Sequence, residues 1–347
     1  MHVESPNELF DLVFKKKKYL YLKNKSIFIT GGSGFIGRWI LRAIDYLNLK
    51  KKLNIKLVIL VRDKKKIKHI KYLTKNTKLK IIKGNLLNLK LKKISVDHIF
   101  HLATESINDN AESNFKVADT IINGTTRLIE LSNYSKVQSF SYLSSGAVYG
   151  KNCKSKLGWR ELDRAGPTVS EDFAIYGLSK KCAESLLINN LKNIKTTNVF
   201  RAFSFGGSCF NSVNNFAYDH FIKSRISFAD ITLKSDGKSI RNYMHPIDLS
   251  NWMFEGLKLK KINIINTGGE TDISLKKLAK TIASFKYNNL PEVGVKLNSS
   301  NNFENYIPNL SKANSLGFST KVTLEMQIED SFNFYYTKKH DRKSSSI

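Results

Sequence analysis

The chain has 347 residues, with 57 Lys or Arg against 29 Asp or Glu, a formal net charge of +28 at pH 7. That length buries a sizeable core, no apolar stretch approaches the ~20 residues that cross a bilayer, and the unpatterned Cys153, Cys182 and Cys209 argue for reduced cytoplasmic thiols rather than disulfides or a metal cluster. Lysines are spread through every segment and form runs only at 15–18, 50–52 and 64–66, none interleaved with aromatics, so the basic field suits an anionic small molecule and excludes a base-stacking nucleic-acid groove.

In chain order, residues 1–24 lack a secretory apolar core followed by small residues; they read as an extension made of an amphipathic helix, 7–16, and a basic link. The apolar run 26–29 enters Thr30-Gly31-Gly32-Ser33-Gly34-Phe35-Ile36-Gly37 and a helical pattern follows over 38–49, so the glycines stand where a strand turns into a helix. Glycine there permits the tight turn and a close approach of backbone to a pyrophosphate, while the helix start offers free N–H groups to the anion. Gly31, Gly34 and Gly37 are the three positions, with Ser33, Phe35 and Ile36 completing the candidate dinucleotide contact. Further apolar runs at 57–61, 79–82, 98–102, 139–143 and 197–201 alternate with helical stretches, which predicts an α/β fold on a doubly wound parallel sheet. Beyond Arg201 the alternation loosens over 206–215. Helices are predicted at 216–227, 274–285 and 324–336, and the tail from Lys338 reads as disordered.

Ser144-Ser145-Gly146-Ala147-Val148-Tyr149-Gly150 follows the fifth run, and Tyr176-Gly177-Leu178-Ser179-Lys180 comes later in a helical stretch. A tyrosine and a lysine four residues apart on a helix share a face, where the ammonium lowers the phenol from about 10 toward the working pH. Tyr176 is then the expected acid and base, Lys180 its partner, and Ser145 the hydroxyl that polarises the same substrate oxygen. Each pattern alone is common; their order behind one glycine fingerprint is not. His101 and His245 have no metal-ligand neighbour at suitable spacing and read as structural, so no metal site is expected.

At these residues the chain resembles the extended short-chain dehydrogenase/reductase family, the group that modifies nucleotide sugars. The resemblance runs from about residue 25 to 329 and adds Gly84-Asn85-Leu86, His101-Leu102-Ala103, Asn123-Gly124-Thr125, Asp236-Gly237 through Arg241, Asp248 and Asn266-Thr267-Gly268-Gly269. It implies a Rossmann-like dinucleotide domain over 25–204, to which 236–265 returns. A smaller interleaved substrate lobe over 205–235 and 266–337, a tail 338–347, a nucleotide-diphosphate sugar as substrate and a homodimer are implied with it. It assigns Asn85, Leu86, Leu102, Ala103, Thr104 and Asn123 to the cofactor beside Tyr176 and Lys180. Asn85 replaces the aspartate usual at the adenine amino group, for which its amide oxygen still serves. The second strand ends Val61-Arg62-Asp63 where the family meets the adenosine ribose; Arg62 suits a 2′-phosphate and favours NADP over NAD, an order that Asp63 in that register would reverse. On the substrate side, Arg241 resembles the family's diphosphate-binding arginine, Ser145 and Gly146 meet the sugar, and Ser204 stands where many relatives carry a substrate-binding asparagine. Asp248 reads as a helix N-cap. His101-Leu102-Ala103-Thr104-Glu105-Ser106 together with 144–150 is similar to a bacterial subgroup found with surface-polysaccharide genes.

The family's 4,6-dehydratases carry an Asp-Glu pair before Val-Tyr-Gly, an acid and a base for eliminating water across C5 and C6. Here those positions are Gly146 and Ala147, neither of which moves a proton. What remains is hydride transfer at a ring carbon, C4, as a 4-epimerase or a 4-ketoreductase in equal measure. The subgroup leans to the first, Arg62 through NADPH to the second. A non-catalytic dinucleotide sensor would be expected to lose the tyrosine or the lysine, and both are present.

Overall fold

Six apolar runs become strands because they are rich in branched and aromatic side chains: β1 (Ser26–Thr30), β2 (Lys56–Val61), β3 (Lys78–Lys83, an edge strand with exposed lysines), β4 (His98–His101), β5 (Ser139–Ser145) and β6 (Thr196–Ala202). The computed structural model describes residues 7–16, 19–90, 94–104, 111–151, 157–191, 193–208, 216–288, 290–300 and 304–344, the side chains of 7, 111–113 and 337–344 excepted. Glu105, Ser106, Cys153, Cys209 and 345–347 lie outside them. Three short strands follow, β7 (Ser204–Phe205), β8 (Ile231–Thr232) and β9 (Ile240–Met244), then β10 (Lys261–Thr267), β11 (Asp272–Ser274) and β12 (Val295–Lys296).

The large sheet is parallel throughout, in the order β10-β6-β5-β4-β1-β2-β3. From β1 the chain winds one way through β2 and β3, then crosses back to β4 and continues through β5 and β6. The reversal between β1 and β4 opens a crevice at the carboxyl ends of those strands. On one face lie α2 (Phe35–Lys51) and α7 (Pro246–Gly256), with α1 (Asn7–Phe14) sealed over them by Leu9, Phe10, Val13 and Phe14. On the other lie α4 (Ala111–Tyr134) and α5 (Ala174–Asn190), packed on Phe28, Ile99, Phe140 and Val199. Between α2 and α4 in the chain, α3 (Ile67–Leu73) links β2 to β3.

A smaller lobe is built from α6 (Ala217–Ile226), α8 (Leu275–Ala283) and α10 (Leu324–Ser344) around Phe221, Ile222, Leu278 and Phe332. Its sheets are β11-β9-β7 and β12-β8, and the short α9 (Ser311–Ser315) leans on β10.

Two sequence expectations need correction. The segment from Lys338 continues α10 as far as Ser344, because its lysines and arginine are good helix formers and nothing before Ser344 breaks the helix. Asp248 is not the cap of α7: His245 holds that position and accepts from Ile247 N–H. Asp248 is buried one turn on, and its carboxylate accepts from the backbone N–H groups of Lys321 and Val322 at 2.9 and 3.1 Å.

Candidate active site

The glycine turn closes on itself and on β4. Gly31 has φ +74°, and a Cβ there would lie 2.7 Å from Ala103 N; one on Gly37 would overlap Gly31 O and Gly32. Gly34 N–H donates to Gly31 O at 2.9 Å, and Gly34 is the extended N-cap of α2 with no side-chain cap. The start of α2, capped by a glycine with no side chain, lies beside the crevice, a cradle that fits a pyrophosphate. Ser33 and Phe35 are half-buried at its rim, Phe35 edge-on to Phe205 at 6.0 Å. Leu102 and Ala103 donate their N–H groups to Thr30, so the turn and the end of β4 form one wall, with Thr104 exposed beyond it.

Toward the far edge, Arg62 is exposed just past β2, while Asp63 spends a carboxylate oxygen on Lys65 N–H at 2.9 Å as cap of a 3-10 turn. Asn85 likewise accepts from Leu87 N–H, and Leu86 is buried against Gly124. Asn123 lies on an exposed face of α4 and donates to Asp119 at 2.6 Å, so this predicted contact is engaged within its own helix.

The structure brings Ser145, Tyr176 and Lys180 together where β5 ends against α5. Ser145 Oγ accepts from Ala147 N–H at 3.1 Å and interacts with the Tyr176 phenol. Lys180 Nζ donates to Leu143 O at 2.8 Å and lies 4.7 Å from the Tyr142 ring centroid and 5.8 Å from that of Tyr176. Burial pushes Lys180 down to about 7, with Glu184 opposing. The expected lowering of Tyr176 by Lys180 is absent from this balance: desolvation raises the phenol, and the Ser145 hydroxyl is what pulls it back.

Sequence reasoning missed the layer beneath. Arg201 forms a forked ion pair with Glu184, with Nη2 to Oε2 at 2.7 Å and both side chains over nine-tenths buried. Ser144 Oγ donates to Glu184, and Arg201 Nη1 donates to Tyr149 Oη, which donates in turn to Asn266 Oδ1. Glu184 sits four residues after Lys180, so the Tyr-x3-Lys spacing extended by one more turn was a usable signal. His101 bridges Thr30 and Thr125 through its two ring nitrogens, and burial lowers it to about 3.

On the sugar side, Gly146 has no room for a side chain: a Cβ would lie 2.7 Å from Tyr306 Oη and 2.8 Å from Phe203. Tyr306 carried no sequence signal. Arg241 is half-buried; its guanidinium donates to Glu304 and lies 5.8 Å from the Tyr306 ring. Ser204 pairs in register with Tyr243 in the small sheet. Among the described residues, no His, Cys, Asp and Glu cluster suits a metal ion, and no helix is long and apolar enough to cross a membrane.

Residues 27–267 match the model of the NAD dependent epimerase/dehydratase family. The chain is 29% identical over 279 residues to a dTDP-D-glucose 4,6-dehydratase of Dictyostelium discoideum, a match covering 74% of this chain but only 61% of that protein. It is 26% identical over 337 residues to a UDP-glucose 4-epimerase of Mycoplasma genitalium, covering 88% and 95% of the two. The fold is similar to that of a UDP-glucose 4-epimerase from Thermotoga maritima solved with UDP-glucose, with a TM-score of 0.74, 21% identity, and 90% of this chain and 99% of that one covered.

Proposed function

The chain belongs to the NAD dependent epimerase/dehydratase family, and we propose that it moves hydride at C4 of a nucleoside-diphosphate sugar, with Tyr176 exchanging the proton on the C4 oxygen. The observation that carries this reading is the convergence of Ser145, Tyr176 and Lys180 at the carboxyl end of β5, beside the glycine cradle. A nicotinamide dinucleotide, when bound, supplies the hydride acceptor. The residues do the rest. Tyr176 removes the hydroxyl proton as the C4 hydrogen leaves, Ser145 donates to the same oxygen, and Lys180 holds the ribose side of the site. Arg241 meets the diphosphate, for which Glu304 must release part of its guanidinium.

A 4-epimerase is the first reading, favoured by likeness to a UDP-glucose 4-epimerase along nearly the whole of both chains. The 4-ketoreductase is the second, favoured by Arg62, whose charge suits the 2′-phosphate of NADP while Asp63 is engaged as a cap. Titrating both dinucleotides into the parent and Arg62→Ala tests the cofactor: the variant should lose NADP affinity more than NAD affinity. Equal losses, or a parent that prefers NAD, would assign the ribose to Asp63.

Dehydration is disfavoured because Gly146 and Ala147 carry no acid or base and the space at Gly146 is filled by Tyr306 and Phe203. A panel of nucleoside-diphosphate sugars decides among the reactions. The epimerase interconverts two 4-hydroxy sugars with no net change in cofactor absorbance; the reductase consumes NADPH in proportion to a 4-keto substrate. Release of a 4-keto-6-deoxy sugar from an intact hexose would overturn both.

A further inference from the structure

Lys180 is a buried ammonium, 2% exposed, and the carboxylate one turn further along α5 is already engaged: Glu184 accepts from Arg201 Nε and Nη2 and from the Ser144 hydroxyl. Of the three ammonium protons, Leu143 O takes one at 2.8 Å. The charge is faced besides by the ring of Tyr142, 1% exposed, whose centroid lies 4.7 Å from Nζ; the Tyr176 ring stands further off, at 5.8 Å.

Tyr142 reaches that place through the period of the strand. Phe140, Tyr142 and Ser144 alternate toward α5, where the two rings pack with Ala183 and Leu187 and the hydroxyl meets Glu184. Consecutive residues of β5 thus supply Lys180 with a ring and a carbonyl. A cation within about 6 Å of a ring centroid is attracted to the negative face of the π system, most strongly where both are out of water. A carboxylate in the same place would draw the ammonium into an ion pair; a ring favours the charge and leaves N–H groups for a ligand. The other titratable and charged groups around Lys180 are Tyr176 and Glu184 on α5, His101 on β4, which burial keeps neutral, and Arg201 on β6 behind Glu184.

We propose that Tyr142 is a positioning residue: the face of its ring is the counter-surface that keeps the Lys180 ammonium charged and, with Leu143 O, holds it at the end of β5. The inference rests on Lys180 as the dinucleotide contact of the reading above.

The test is an NMR titration of the full chain carrying lysine labelled with ¹³C at Cε, in which Lys180 stands apart from exposed lysines by its low midpoint and is assigned by Lys180→Met. Tyr142→Phe keeps the ring and should hold the Lys180 midpoint near that of the parent. Phenylalanines bearing one, two and three ring fluorines, installed at position 142 by amber suppression, keep the shape while draining the negative face. Across them the midpoint should fall in steps, by about 0.5–1 pH unit in all. Because the parent ammonium is half charged near pH 7, the dinucleotide Kd there should rise about two- to fivefold, the gap narrowing as the pH is lowered. A midpoint that stays flat or rises across the fluorine series overturns the proposal. A fall as large in Tyr142→Phe as in the trifluoro form would assign the effect to the hydroxyl and overturns it too. A midpoint that falls in steps while the Kd is unchanged upholds the ring as the partner of Lys180, and the failure then belongs to the dinucleotide contact assigned to Lys180.

Discussion

At the scale of single residues, Lys180 sets function against stability. Its ammonium is buried and its folded value falls to about 7 from 10.5, so the fold disfavours the charged form. A base with a depressed folded value gives stability at high pH that is lost as the pH drops from 10.5 through 7; near neutrality the chain therefore carries a cost. Lys180→Met should raise unfolding stability at pH 7 by on the order of 2 kcal/mol while weakening cofactor binding, checked by denaturant melts and dinucleotide titration on one preparation. A destabilised variant would mean that the bond to Leu143 O outweighs the buried charge. Tyr176→Phe should cut turnover by about 10²- to 10⁴-fold with cofactor affinity nearly intact; activity within about threefold of the parent would remove Tyr176 from the chemistry. These two residues were legible because a helix converts a spacing of four into a shared face. Tyr306 was not, since it comes up against Gly146 only through the chain's return beside β9, and no local pattern records that approach.

At the scale of elements, the Arg201 and Glu184 pair ties β6 to α5, and through Ser144 and Tyr149 it reaches β5 and the end of β10. Breaking a buried pair by removing one partner strands the other charge, so Glu184→Ala should cost about 3–5 kcal/mol in chemical denaturation. A loss within about 1 kcal/mol would indicate that Arg201 finds water or Tyr149 as a sufficient substitute. Six strands of the large sheet were legible from apolar runs, five of them buried on both faces and β3 at the sheet edge with its lysines exposed. The seventh was less so: β10 reads Lys-Ile-Asn-Ile-Ile-Asn-Thr, and its exposed edge leaves the first two residues in solvent, which erases the run. Asp248 was misread for a related reason. An aspartate near a helix start reads as a cap, but here Pro246 opens the helix and the carboxylate is drawn to Lys321 and Val322, 73 and 74 positions away.

For the whole molecule, pH stability follows from buried histidines. Burial lowers His98 to about 4 and His101 to about 3, so both stay neutral in the fold while the unfolded chain protonates them below 6.5. Stability is thus complete above 6.5 and falls as the pH drops toward 4. Asp248, raised to about 6 by burial, acts in the opposite sense and returns stability as it is protonated. Together these should leave the chain about 2–3 kcal/mol less stable at pH 5 than at pH 7, read from denaturation midpoints. His98→Asn should remove most of the loss, because one histidine is then nearly offset by Asp248, and an unchanged midpoint at pH 5 in the parent would show that the histidines protonate without unfolding. The α1 packing carries a consequence for biosynthesis. Phe14 and Tyr19 leave the ribosome well before Phe254 and Asn251, which receive them and follow 240 and 232 positions later. Strands β1 to β6 can pair in the order of their emergence, but the apolar side of α1 is covered only in part, by Trp39 and Tyr46 of α2, until α7 has been made. A nascent chain stalled before α7 therefore leaves the part of α1 around Phe14 short of its Phe254 partner, a handle by which quality control can distinguish the unfinished polypeptide from the finished one.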